Sequence, residues 1–204
     1  MVASPVSPPT HLLYLHGFRS SPRSFKAQKL AQVVAAHRAH GRAAPEWACP
    51  QLPPSPAQAW QDIAALTADW PRDTMVVVGS SLGGFYAAVA AQRLGCRVAM
   101  VNPAVAPDRD LARYIGEQTA FHNPEDRFFF RPEFIGELQA LRPWPLHEPA
   151  RHWALIAQGD EVLDWREMAH HLAGTQLTVL PGSDHAVSDF DDHLPALLAW
   201  LGLD

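Results

Sequence analysis

Short apolar runs along the chain alternate with longer stretches in which apolar positions recur every three to four residues. The runs at 11–15, 47–52, 74–79, 97–101, 152–158 and 175–180 have the length of strands. The run at 74–79 is apolar at almost every position, the pattern of a strand covered on both faces. Between the runs lie helical periods. Leu30, Val33, Val34 and His37 share one face of a helix over 26–38. Ser55 and Pro56 supply an N-cap and a first-turn proline for a helix with Trp60, Ile63, Thr67 and Trp70 on one face. Further helices are predicted after 84, at 165–172, and from about His193, where Pro195 would sit in the first turn ahead of Leu197, Leu198 and Leu201. This alternation predicts an α/β fold: a mostly parallel sheet of about six strands flanked by helices.

The rhythm breaks over 108–149. A helix is expected at 111–118 and another at 132–141, separated by the aromatic run Phe128-Phe129-Phe130 and followed by the turn Pro143-Trp144-Pro145. Such an excursion either covers a functional site beyond the strand ends or packs over the sheet edge. No internal repeat and no linker interrupt the chain, so a single domain over 1–204 is expected, with 1–10 as a loose N-terminal segment.

Composition narrows the classes. The chain has 204 residues, 48% hydrophobic and 18% charged, enough for one sizeable core. A formal net charge of -5, with no basic run, argues against a nucleic-acid partner. Only two cysteines are present, too few for a disulfide framework and in keeping with a reducing compartment. Residues 1–10 lack the basic start and apolar stretch of a signal peptide, so a cytoplasmic location is expected. The uncharged run 74–92 has the length of a membrane span. Gly79, Ser80, Ser81, Gly83 and Gly84 interrupt its middle, and a buried strand feeding a buried helix is the expectation.

That interruption is also the most informative motif. Gly79-Ser80-Ser81-Leu82-Gly83 is a Gly-x-Ser-x-Gly sequence between a strand and a helix, the nucleophile elbow of serine hydrolases. The turn is so tight that the middle residue is strained and its neighbours must lack bulk. Only Ser81 has a glycine two residues away on both sides, which singles it out over Ser80. A plain Gly/Ser strand-to-helix loop is the competing reading.

A serine hydroxyl needs a base, and the base needs an acid to orient it. In this class the chain order is Ser, then Asp or Glu, then His. Gly159-Asp160-Glu161 follows the fifth predicted strand and Gly182-Ser183-Asp184-His185 follows the sixth, both at strand C-terminal ends. His185 is the candidate base. Asp160 is the preferred acid; Glu161 and Asp164 are the rivals, although Asp164 could instead cap the next helix. Asp184 reads as a turn former. For the oxyanion, the N–H of Leu82 and the N–H of Phe18, in the loop after the first strand, are expected. His16 is expected to hold that loop, and Arg19 is either solvated or faces an anionic substrate group. No residue set suggests a cofactor or a metal; His170 and His171, adjacent on a helix, make a poor ligand pair.

Beyond the single motifs, Leu13-Tyr14-Leu15-His16-Gly17-Phe18-Arg19-Ser20-Ser21-Pro22 resembles the opening of the YqiA-like esterases, a bacterial family within the α/β-hydrolase superfamily. So do 79–87, Asn102-Pro103-Ala104-Val105, 158–164 and Asp184-His185-Ala186, in matching order from about Leu12 to Leu203. Val187 departs from the pattern, since an aromatic residue is expected after the His-Ala pair and appears only at Phe190. The resemblance implies an α/β-hydrolase fold acting on carboxylic esters, acyl thioesters included, with Ser81, Asp160 and His185 as nucleophile, acid and base. The expected partner is a small-molecule ester or thioester. Two other readings stay open: a thioesterase or acyltransferase with the same three residues, and a non-catalytic binding module on a hydrolase fold.

Overall fold

The computed structural model describes residues 8–204. Its strands are β1 (His11–Leu15), β2 (Glu46–Ala48), β3 (Met75–Ser80), β4 (Arg97–Val101), β5 (Gly116–Thr119), β6 (Arg127–Phe130), β7 (Trp153–Ala157) and β8 (Gln176–Leu180). Its helices are α1 (Phe25–Ala39), α2 (Pro56–Leu66), α3 (Leu82–Leu94), α4 (Pro107–Asp110), α5 (Glu133–Leu141), α6 (Trp165–His171) and α7 (Phe190–Leu201). Six strands form one sheet in the order β2-β1-β3-β4-β7-β8, and every pairing in it is parallel.

Alternation along the strands builds two cores. Leu12, Tyr14, Val76 and Val78 pack with α1 and α7 on one face; Leu13, Leu15, Met75 and Val77 pack with α2 and α3 on the other. The ten residues Leu82–Ala91 of α3 are all buried, which explains why this helix is apolar all round. The uncharged run 74–92 is thus divided at Ser81 between a central strand and a central helix. Among the described residues, no helix is long and apolar enough to cross a membrane.

The topology places a crevice. From β1 the chain moves outward to β2, then returns across β1 to β3. The loops leaving the C-terminal ends of β1 and β3 therefore diverge, and open α/β sheets bind ligands at such a switch point. Both loops carry candidate residues.

Several boundaries differ from expectation. β2 spans three residues, because Pro50 and Pro53 have no N–H to offer the ladder. α2 stops at Leu66, and Trp70 lies beyond it, packed on the His11 ring at 4.7 Å. No helix forms at 111–118: a single 3-10 turn (Ala112–Tyr114) gives way after Ile115 to Gly116, whose φ of 127° starts β5. β5 and β6 make a separate antiparallel hairpin that absorbs the Phe128-Phe129-Phe130 run. α7 starts at Phe190 rather than near His193, so Pro195 falls inside it. The buried Phe190 ring anchors this early start, and Pro195 faces solvent, where water can bond the carbonyl that lacks a partner. Of the segment 1–10, residues 1–7 lie outside the described residues, while Thr10 is bonded to both Thr74 and Glu46 along the sheet.

Candidate active site

Ser81 sits between β3 and α3 with φ 57° and ψ −123°, a strained backbone for a residue with a side chain. Its surroundings hold it there. Its N–H donates to Val101 O at 3.0 Å, and its carbonyl accepts from Gly84 N at 2.9 Å and Ala104 N at 3.0 Å. The flanking glycines are required by contact: a Cβ on Gly79 would lie 2.1 Å from Gly83 O, and one on Gly83 would lie 1.9 Å from Leu15 O. The turn thus closes only where two backbones meet without side chains between them.

The candidate acid and base converge on it from the ends of β7 and β8. His185 Nε2 is 3.0 Å from Ser81 Oγ, and His185 Nδ1 is 2.8 Å from Asp160 Oδ2. A carboxylate at Nδ1 fixes the proton there, which leaves Nε2 as an acceptor for the serine hydroxyl. The Asp160 carboxylate is fully buried, and its other oxygen accepts from Val162 N and Leu163 N, each at 2.8 Å. Three donors compensate its lost hydration.

The rivals have other partners. Glu161 accepts from the backbone N–H of His185 at 3.0 Å, and Asp164 caps α6 by accepting from Arg166 N at 2.9 Å. Asp184 accepts from both the N–H and the hydroxyl of Ser188, closing the turn after β8. Ser80 is buried beneath the elbow.

Phe18 and Leu82 line one cavity with Ser81 and His185. Neither backbone N–H has a protein acceptor among the described residues. Two tethers hold the Phe18 loop. The first is His16, whose Nδ1 bonds Gly17 O at 2.9 Å and whose Nε2 accepts from Leu52 N at 3.1 Å. Burial holds the His16 pKa below the usual histidine value, and protonation would set a second N–H against Leu52 N–H. The second tether is the hairpin. The Phe18 ring packs between Tyr114, Phe128 and Phe130 at centroid distances of 5.6, 5.8 and 5.2 Å. Arg19 is not freely solvated, and it lines the cavity that contains Ser81 and His185. Its Nε donates to Thr119 O at 2.6 Å, its carbonyl accepts from Phe121 N at 2.8 Å, and its guanidinium lies 4.5 Å from the Phe121 ring centre. The excursion therefore reaches the crevice as well as packing on the core.

Two side chains at the crevice have roles that the motifs did not reveal. Asn102, fully buried at the end of β4, donates through Nδ2 to Asp184 O at 3.0 Å and His185 O at 3.1 Å. Its Oδ1 accepts from Ala157 N at 2.8 Å, so one amide ties the loops after β7 and β8 together. A polar residue at a strand end, level with the candidate loops, was the available signal. Lys26, in the first turn of α1, donates to Ala186 O next to the base. Among the described residues, no group of three or more His, Cys, Asp or Glu side chains is placed to hold a metal ion.

Solved structures share this architecture. α/β-hydrolase domain-containing protein 10 from mouse superposes with a TM-score of 0.61 at 17% identity, over 94% of this chain and 92% of that one. One of the metagenome-derived lipolytic enzymes LipS and LipT gives 0.66 at 17% identity, over 95% and 94%. Est1E of Butyrivibrio proteoclasticus in its ferulic-acid complex gives 0.68 at 14% identity, over 93% and 86%. The fold is that of the α/β hydrolases. Residues 11–202 match the uncharacterised protein family UPF0227, and the chain belongs to that family, the YqiA family its motifs resemble.

Proposed function

We propose that this protein is a serine hydrolase that cleaves carboxylic esters through an acyl-enzyme on Ser81. The reading is carried by one observation: the continuous hydrogen-bonded path Ser81 Oγ, His185, Asp160, with links of 3.0 and 2.8 Å, assembled from three separate strand ends. The esterase and lipolytic neighbours of the same fold support it.

The chemistry follows from the bonds. Ser81 Oγ attacks the ester carbonyl while its proton passes to His185 Nε2. The N–H groups of Phe18 and Leu82 hold the resulting oxyanion; one such donor is typically worth about two to three orders of magnitude in rate. Collapse breaks the bond to the alkoxy oxygen, which takes the proton from Nε2 and leaves as the alcohol. Water then attacks the acyl-enzyme and gives a proton to Nε2. The second collapse returns that proton to Ser81 Oγ and releases the carboxylic acid. Asp160 stays ionised throughout and stabilises the imidazolium.

The test is covalent labelling. A fluorophosphonate should modify Ser81, as mapped by mass spectrometry, and His185→Ala should abolish the label. A folded protein that is not labelled, or is labelled elsewhere, overturns the assignment.

A further inference from the structure

The two sides of Ser81 differ in size and polarity. On one side is a cavity of about 130 Å³ walled mostly by Ala104, Pro107, Leu111, Tyr114 and Leu163, with Arg19, Asp110 and Arg113 also in its lining. On the other is a groove of about 420 Å³ that runs from Ser81 and His185 along Ala186 and Ser188 to Lys26. Phe121, at the hairpin tip, lines both.

Three observations set the character of the groove. First, Lys26 makes no salt bridge among the described residues, the Asp184 carboxylate acting on it only through space, whereas Lys29, one turn on, pairs with Asp191 at 2.9 Å. Second, the Lys26 ammonium spends one proton on Ala186 O, which leaves donors for a ligand. Third, the first turn of α1, which borders the groove, contains no acidic residue, and Tyr14 and Ser24 line the groove as well. An ammonium with no directly bonded carboxylate is costly to bury unless something negative or polar meets it.

Resting on the serine-hydrolase reading, we propose that Lys26 recognises a negatively charged substituent on the leaving alcohol. The substrate class is then an ester that joins a compact apolar acyl group to an alcohol bearing a carboxylate or phosphate. The leaving oxygen must lie at His185 Nε2 to take its proton; His185 lines both cavities, and the larger one, which also holds Lys26, has the room for an alcohol with a charged substituent.

The test uses charge-matched esters. Butyrate esters of 3- and 4-hydroxybenzoate are compared with those of the corresponding methyl hydroxybenzoates, and an aryl-phosphate analogue separates phosphate from carboxylate. Lys26→Gln keeps a donor for Ala186 O but removes the charge. It should lose about tenfold more kcat/KM on an anionic ester than on its neutral partner, the scale of one charge-assisted hydrogen bond. Lys26→Arg should retain most of the preference. Equal losses on charged and neutral esters overturn the inference, as does a wild-type enzyme whose Ser81 is labelled but which shows no preference for the charged esters. Absence of both labelling and hydrolysis overturns the reading on which it rests.

Discussion

The elbow between β3 and α3 and the β5–β6 hairpin meet at the same crevice but are held by different means. The elbow is fixed by its own neighbours in sequence and by the two strands beside it. Gly79 and Gly83 meet backbone to backbone, and Ser81 N–H reaches Val101 O on the adjacent strand. The hairpin belongs to no larger sheet. Phe130 is buried in the core that contains α3, and the Phe18 ring, Arg19 and Phe134 add to the hairpin's anchorage. One region brings the nucleophile; the other braces the loop that carries a proposed oxyanion donor. Chemistry and stability should therefore separate between them.

The largest effect is expected at the triad. Asp160→Asn keeps the shape but favours the wrong histidine tautomer, so kcat on a short ester should fall about 10⁴-fold. The melting temperature should move little by comparison, since an amide oxygen can still accept from Val162 N and Leu163 N. A kcat within tenfold of wild type would dissolve the distinction.

Phe130→Ala should show the opposite profile. Truncating a buried phenylalanine costs about 3–5 kcal/mol, measurable by urea unfolding. It also removes one wall of the Phe18 pocket, so kcat should drop by a smaller factor than in Asp160→Asn. Unaltered kcat in a folded variant would show that the hairpin does not brace the loop.

Arg19→Ala removes the hydrogen bond to Thr119 and the stacking on Phe121. A loss of about 1 kcal/mol is expected, read as faster proteolytic cutting over 120–126 while the sheet stays intact. Uniform loosening of the whole protein would contradict local anchoring.

The smallest effect is a pH dependence. His16 has a folded pKa below its unfolded value of 6.5, mainly because it is buried. Its contribution to stability is present above that value and is lost as pH falls through it toward the folded pKa. Unfolding free energy should thus decline below about pH 6.5, and His16→Gln should flatten the slope. A slope unaffected by that substitution would assign the acid sensitivity elsewhere, His152 being the next group with a pKa lowered by burial.

Sequence alone was enough for the parallel α/β sheet, for the split of the run 74–92, and for the loop positions of Ser81, Asp160 and His185. The reason is that these features are local or periodic. A doubly covered strand must be apolar, a strained turn must be flanked by glycine, and residues at strand ends must gather on one side of a parallel sheet. Only the tertiary structure decided the rest. The segment 111–130 has no period of its own; Gly116 breaks the expected helix, and the aromatic run becomes a strand because Phe18 and the core receive Phe128 and Phe130 while Phe129 alternates to solvent. Asn102 lies in a family-like stretch that assigns it no role, and Lys26 lies in none. Each matters through carbonyls about 80 and 160 residues away, a proximity that only the folded sheet creates.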